Sequence, residues 1–216
     1  MLARNDVTIE TNYVNRGFVA QGGQNVPTST PKKPSPKFNN FDFLDYSPAE
    51  IAVDTITLPW EMSRVERMAF QHLLGNLQPA IALEVGTGEG GSLQAIMQYA
   101  DEAISIDVNV DTQTSLQKLP CFNGVEFIAG ESAKVLPEVV HLINKNQLNV
   151  NFVYLDGDQS TAGAQSDFEA ALKIIPKQPT CIVMHNSFMP QVRRAMINVN
   201  WQENAHVHYV DIDYVQ

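Results

Sequence analysis

The chain is poor in cysteine, in basic side chains and in long apolar runs, and each shortage narrows what it does. Cys121 and Cys181 are its only cysteines, with no metal-type spacing between them. That excludes a cysteine metal site, leaves the two thiols as small buried hydrophobes, and favours a reduced, cytoplasmic protein. Lys and Arg total 14 against 24 Asp and Glu, a net charge of -10. Phosphate binding needs clustered Lys and Arg, so neither nucleic acid nor an anionic membrane surface is an expected partner. No apolar run approaches the ~20 residues of a membrane span. The opening stretch MLARNDVTIETNYV lacks the apolar core of a signal peptide.

What remains is ordinary globular material. Hydrophobic residues are 44% and charged residues 18%, which rules out wholesale disorder. At ~150 residues per domain, one domain plus extra segments is expected. The charge is uneven: residues 1–40 hold Arg4, Arg16, Lys32, Lys33 and Lys37 against Asp6 and Glu10. Residues 21–40, QGGQNVPTSTPKKPSPKFNN, cannot bury enough apolar surface to offset their chain entropy. Residues 1–47 therefore read as a flexible N-terminal arm, with Phe41, Phe43, Leu44 and Tyr46 anchoring its end; a lid or dimer strap is the alternative. Residues 48–216 form the domain.

From residue 48 helix and strand patterns alternate. Ser63 with Glu66 three residues on fits a capping box, followed by Val65, Ala69, Leu73 and Leu77 on one helical face. Apolar runs at Ala80–Val85, Ala103–Ile106, Val125–Ala129, Phe152–Leu155, Cys181–Met184 and Val207–Val210 read as six strands. Between them, helices are expected over Ser92–Tyr99, over Ser132–Leu142 with Pro137 as a break point, along Ala164, Phe168, Ala171, Leu172 and Ile175, and over Pro190–Val199. Buried strands separated by helices imply a mainly parallel, doubly wound, Rossmann-like α/β sheet with helices on both faces.

The motif with most chemistry is Glu84-Val85-Gly86-Thr87-Gly88-Glu89-Gly90-Gly91, at a strand-to-helix turn. Glycines there allow φ > 0 and close approach of a ligand to the backbone. The spacing is G-x-G-x-G, not the G-x-G-x-x-G of dinucleotide binders; in isolation it is weak evidence, with a plain tight connection as the alternative. Asp107, about twenty residues on at the end of the next strand, is placed to accept hydrogen bonds from ribose hydroxyls. Turn and acid together point to an adenosine-type pocket.

With those residues in view, the chain resembles the class I S-adenosylmethionine-dependent methyltransferases, from about Leu58 to Val210. ALEVGTGEGGS is similar to the family's first motif, AISIDVN to its second, and FIAGESAKVLPEV to the segment whose loop flanks the adenine. NFVYLDGDQS and CIVMHNSFMPQVRRAM resemble the substrate-side segments. The likeness is greatest to small-molecule O-methyltransferases of the catechol and macrolide type, which extends the expectation to natural-product biosynthesis. The resemblance implies that Glu84, Gly86 and Gly88 hold the methionine end of the cofactor and Asp107 its ribose. Gly130, Glu131 and Ser132 lie near the adenine, and Trp60 and Met62 belong to a stretch covering the cofactor. For Trp60 a core role is the alternative.

Metal-dependent relatives place an Asp after the fourth strand, a Lys or His base three residues later, and an acid followed by Asp or Asn after the fifth strand. Asp156 and Asn186 match two of these positions as ligands of Mg²⁺ or another divalent cation. Gln159 occupies the base position, and a Gln takes no proton at neutral pH. His185 replaces the acid. It suits Zn, Mn or Fe better than Mg²⁺, or serves as the base that deprotonates a hydroxyl, or only hydrogen-bonds locally. Asp156 and His185 are thus the expected catalytic pair. Arg193 and Arg194 read as a solvated face, with an anionic substrate the weaker reading. His206 and His208 alternate on the last strand, one outward and one toward the helix layer.

The family's sheet usually closes with a last antiparallel strand; after HYVDIDYVQ the expectation is that this strand is absent, or that the N-terminal arm or a partner chain covers the exposed edge. An uncovered edge strand is a pairing surface, so a homodimer is expected. Methyl transfer from S-adenosylmethionine to a small-molecule hydroxyl is the expected function. The alternative is an inactive cofactor-binding module acting as scaffold or regulator, which Gln159 and His185 favour. Other chemistry on the same fold, such as aminopropyl transfer, is a further alternative.

Overall fold

The computed structural model describes residues 56–212. The arm expected over 1–47 and its anchoring aromatics lie outside the described residues, as do residues 48–55 and 213–216.

The first described element, α1 (Arg64–Leu77), begins with the expected capping box: the Ser63 hydroxyl accepts from the Glu66 amide and the Glu66 carboxylate accepts from the Ser63 amide. Its buried face differs from the sequence expectation. Phe70, Leu73 and Leu74 go in with Ala69, whereas Val65 is 45% exposed. Val65 sits in the first turn, ahead of the point where α1 meets the sheet.

Then follow β1 (Ile81–Val85), α2 (Gly91–Ile96), β2 (Glu102–Asp107), α3 (Val110–Leu116), β3 (Val125–Ala129), α4 (Ser132–Lys145), β4 (Val150–Leu155), α5 (Thr161–Ala171), β5 (Cys181–Met184) and α6 (Pro190–Asn198). The sheet order is β3-β2-β1-β4-β5, and every pairing is parallel. β1 and β4 are buried along their whole length, which is why both read as continuous apolar runs rather than alternating ones. Strand alternation sends Ala82, Ala103, Phe152 and Tyr154 to one face, where they join Phe70, Leu74, Leu93 and Ile96 in the core. The Phe70 ring meets Tyr154 and Phe152 edge-on at 4.9 and 5.7 Å. Full burial of such a side chain contributes about 1.5–3 kcal/mol. On the opposite face α4 packs against β2 and α5 against β4.

Several sequence expectations are corrected. Val207–Val210 forms no strand, so the described sheet has five strands and no antiparallel member. Asn204 explains it: its side chain donates to the Leu172 carbonyl and accepts from the His206 amide. The chain is thereby tied to the end of α5 rather than to the sheet edge, and His206 and His208 are both exposed. The helix expected to reach Ile175 stops at Ala171, and Ile175 is 61% exposed. The α2 helix ends at Ile96 instead of Tyr99. Pro137 does not split α4; it lies on the solvent face, where the carbonyl it cannot serve is open to water. Cys121 is exposed, because Phe122 takes the inward position of that turn. Cys181 is half-buried, and burial pushes its thiol up to about 12.

Candidate active site

The chain turns back at β1: β2 and β3 lie on one side, β4 and β5 on the other. In open α/β sheets ligands bind beyond the carboxyl ends of the strands at such a switch point. A cavity of about 790 Å³ sits there, lined among others by Gly86, Gly88, Asp107, Tyr154, Asp156 and His185.

The glycine turn is shaped for this place. Gly86 has φ +90°, and a Cβ there would stand 2.1 Å from the Asp156 carbonyl oxygen. Only a glycine lets the ends of β1 and β4 approach this closely. Gly88 has φ +50°, but the space beside it is open, leaving the backbone accessible from the cavity. Its amide donates to Asp107 Oδ2 at 2.9 Å, and the Asn109 amide donates to Oδ1 at 2.7 Å. Two backbone amides thus fix the Asp107 carboxylate at the cavity wall, each oxygen retaining a lone pair for a hydroxyl. Asp107→Ala should weaken S-adenosylhomocysteine binding roughly 10- to 100-fold, the loss of hydrogen bonds to a charged group. Wild-type affinity in that variant, measured by calorimetry, would contradict this placement.

Glu84 is placed differently from the other motif residues. Its carboxylate is fully buried beneath the turn and does not line the cavity; Ser92 and Ser105 donate to it at 2.6 and 3.0 Å. Burial, against those two hydrogen bonds, pushes its pKa up to about 8. An acid raised in this way holds its proton more tightly when folded. Its contribution to stability is therefore greatest below about 4.5 and declines toward pH 8, on the order of 1 kcal/mol per pH unit. Glu84→Gln should remove that decline. Urea titrations of both proteins at pH 5 and 8 check it, and parallel losses would contradict it.

The segment before α1 packs against the end of the glycine motif, with Pro59 and Trp60 beside Gly91 and Leu58 beside Gly90. Gln94 of α2 accepts from the Thr57 and Leu58 amides. Arg67 donates to the carbonyls of Trp60 and Met62, and its guanidinium lies 4.9 Å from the Trp60 ring centre. Trp60 and Met62 are thereby held on the cavity wall. The Trp60 ring also meets Phe70 edge-on, the core contact of its alternative reading. After β3, next to the end of β2, Glu131 is exposed and pairs with Lys134, while Ser132 donates to Asp167 Oδ2 at 3.0 Å. Both Glu131 and Ser132 line the cavity beside Gly130. Asp167, 2% exposed and given no role by the sequence, is held by burial near a pKa of about 6.

The substrate side converges on Asp156. Gln159 donates to Oδ1 at 2.8 Å, Tyr154 donates to Oδ2 at 3.2 Å, and His185 Nδ1 stands 3.0 Å from Oδ2. That last contact is not an aligned hydrogen bond and becomes an ion pair when His185 is protonated. His185 Nε2 lies 3.8 Å from Glu66 Oε1. Burial by itself pushes the imidazole down, but Asp156, Glu66 and Glu61 outweigh it, and His185 is raised above its usual value. Tyr154 is buried, and burial with the neighbouring Asp156 and Glu84 charges holds its hydroxyl protonated. From sequence alone Tyr154 carries no expected role and Glu66 only a capping one. Strand alternation was the available signal for Tyr154, which points to the same side as Asp156. Arg193 and Arg194 do not line the cavity.

The profile of the rhamnosyl O-methyltransferase/CmcI family matches residues 51–213. The chain belongs to that family. It is accordingly an S-adenosylmethionine-dependent O-methyltransferase by descent, with the Rossmann-like fold of such enzymes. No curated relative matches the chain in sequence. Among solved structures it is similar to an O-methyltransferase from Bacillus cereus in complex with SAH, at 17% identity and a TM-score of 0.51, covering 63% of this chain and 68% of that one. It is also similar to the O-methyltransferase TomG from Streptomyces achromogenes, involved in tomaymycin synthesis and solved with SAM, at 18% identity and a TM-score of 0.53, covering 63% and 67%. At such identities the likeness speaks for the fold.

For this family member, the cavity, the open side of Gly88 and the anchored Asp107 fit an adenosine-bearing cofactor. A divalent cation fits poorly. Among the described residues no three His, Cys, Asp or Glu side chains gather as a metal site. Asp156 already accepts on both oxygens, and Asn186, in a left-handed turn at φ +56°, adds only an amide. Asp156 and Asn186 supply two ligand positions at most, so a Mg²⁺ ion here would have to complete its octahedron with waters. None of the described helices is long and apolar enough to cross a membrane.

Proposed function

We propose that the chain moves the methyl group of S-adenosylmethionine to a hydroxyl of a small molecule, with Asp156 and His185 as the residues that act on that hydroxyl. The observation that carries this is their 3.0 Å pairing on the wall that also holds the glycine turn and Asp107. The cofactor supplies an electrophilic methyl. Gly86, Gly88 and Asp107 hold the cofactor, with Trp60 packed beside Gly91 and with Glu131 and Ser132 following Gly130, whose amide donates to the Asp107 carbonyl.

Asp156 exposes 25% of its side chain and His185 8%, so Asp156 meets the acceptor hydroxyl. Tyr154 and Gln159 orient the carboxylate by donating to it. His185 takes the hydroxyl's proton. A raised imidazole suits a base working near neutral pH, because proton affinity and availability are both adequate there. The residues give no support for a metal-assisted route, and the base that Gln159 cannot supply is replaced by His185. Among the described residues β5 pairs only with β4, which supports a homodimer. The acidic balance supports an absence of nucleic-acid partners, and the reduced cysteines support a cytoplasmic location.

The test is methyl transfer from S-adenosylmethionine to a panel of phenols and sugars in the presence of a chelator, read by mass and by the position of the new methyl. O-methylated products are expected. Methylation on nitrogen or carbon would contradict the proposal. Tight cofactor binding with no transfer to any acceptor would favour the inactive module instead.

A further inference from the structure

Asp167 is a buried carboxyl for which methyl transfer has no use. It lies at 2% exposure on the inward face of α5, the face that also buries Ala164, Phe168 and Ala171. A carboxyl there is costly to desolvate unless it is well hydrogen-bonded. Asp167 is only half satisfied: Oδ2 accepts from the Ser132 hydroxyl at 3.0 Å, and Oδ1 has no hydrogen-bond partner among the described residues. An apolar side chain would fill the position without that cost, and such breaches of the local pattern mark functional positions. Two neighbours of Asp167 reach the cavity although Asp167 itself does not. Ser132 opens α4 and Gly157 follows Asp156 after β4, and both line the wall. A Cβ on Gly157 would stand 3.0 Å from Asp167 Oδ2 and 3.5 Å from Ser132 Oγ. One carboxylate oxygen thus lies against the start of α4 and the turn after β4 together. The stretch ahead of Ser132 is joined to the ribose acid, since the Gly130 amide donates to the Asp107 carbonyl. Glu131 precedes α4 without a side-chain capping bond and pairs with Lys134 instead. The Ser132–Asp167 bond is therefore a polar tie between this first turn and the domain behind it.

We infer that Asp167 is a positioning residue for the cofactor: by holding the Ser132 hydroxyl it fixes the first turn of α4, and with it the cavity wall that follows Gly130, in the geometry that binds. Asp167 touches no ligand and acts through Ser132. The inference rests on this cavity being the S-adenosylmethionine site and adds the buried residue that holds its wall in place.

The test measures S-adenosylhomocysteine affinity by calorimetry in the full chain, with the urea stability of each variant recorded alongside. Asp167→Ala should bind roughly 5- to 30-fold more weakly, as expected when an ordering hydrogen bond to a carboxylate is lost. Asp167→Leu, which fills the site without an acceptor, should show the same loss and stands in where the alanine variant does not fold. Asp167→Asn keeps an oxygen for the Ser132 hydroxyl and should stay within about twofold of wild type, even where its buried amide lowers stability. In a Ser132→Ala background, either acceptor-free variant should change affinity by less than about twofold, because the path through the hydroxyl is already gone. A purely structural role would lower stability and leave the affinity of the folded protein unchanged. Wild-type affinity in both acceptor-free variants or in Ser132→Ala would overturn the inference. So would an Asp167→Asn as weak as Asp167→Ala, or a full further loss on top of Ser132→Ala. Failure of the wild type to bind S-adenosylhomocysteine would instead sink the cofactor reading beneath it.

Discussion

His185→Ala should lower turnover by ~10²–10⁴-fold, the range expected when a positioned general base is lost, while S-adenosylhomocysteine binds as before. His185 follows β5, three strands across the sheet from Asp107 at the end of β2. Asp156→Ala should be at least as damaging. It removes the group that meets the hydroxyl and leaves the Gln159 amide and Tyr154 hydroxyl without their acceptor. The pH dependence gives an independent check. A base must be neutral to act, and His185 is raised by the carboxylates around it despite its burial. The rate should therefore climb with pH through an inflection above the ordinary histidine value of ~6.5. Asp156→Asn removes the strongest of those charges and should move any residual inflection downward. A His185→Ala enzyme with normal turnover, or one that has lost cofactor affinity, would mean that the two ends of the cleft have been assigned wrongly.

Gly86→Ala should be the most damaging small change to the fold. The added methyl would stand 2.1 Å from the Asp156 carbonyl oxygen and 2.5 Å from its carbon, at φ +90°. Both obstacles are backbone, so neither yields by a side-chain rotation. A cost of about 2–5 kcal/mol follows from combining a left-handed conformation with overpacking. That is a large part of a typical domain's stability. Gly88→Ala is the internal control. Its φ is +50° but nothing lies within 4 Å, so it should cost only about 1–2 kcal/mol. Chemical denaturation of both variants separates the two. Equal losses would mean that the turn is strained throughout rather than wedged at one point against β4.

The contrast between these glycines also marks what the sequence could convey. Gly86, Asp107 and Asp156 were legible because each closes an apolar run, and strand ends are where this architecture binds ligands. Asp156 and His185 were legible as a pair for the same reason. The role of Glu84 was not, since a carboxylate at a strand end can point up into the cavity or down beneath the turn. Only Ser92 on α2 and Ser105 on β2 decide that. Glu66 reads from sequence as half of a capping box; its second oxygen faces His185 only once α1 has docked on the sheet. Val207–Val210 has a strand-like composition and is no strand, because Asn204 binds the end of α5 first. Asp167 gains its place under Ser132 from the meeting of α4 and α5, which no local pattern encodes.

The central claim is that the β1–β4 switch point is a cofactor site independent of a cation. Calorimetric titration of S-adenosylhomocysteine into the full chain, repeated with Mg²⁺ and with a chelator, tests it most directly. Binding in the micromolar range, about -8 kcal/mol, and identical in the two conditions is the expected result. No binding in either condition, or binding that appears only with Mg²⁺, would contradict it.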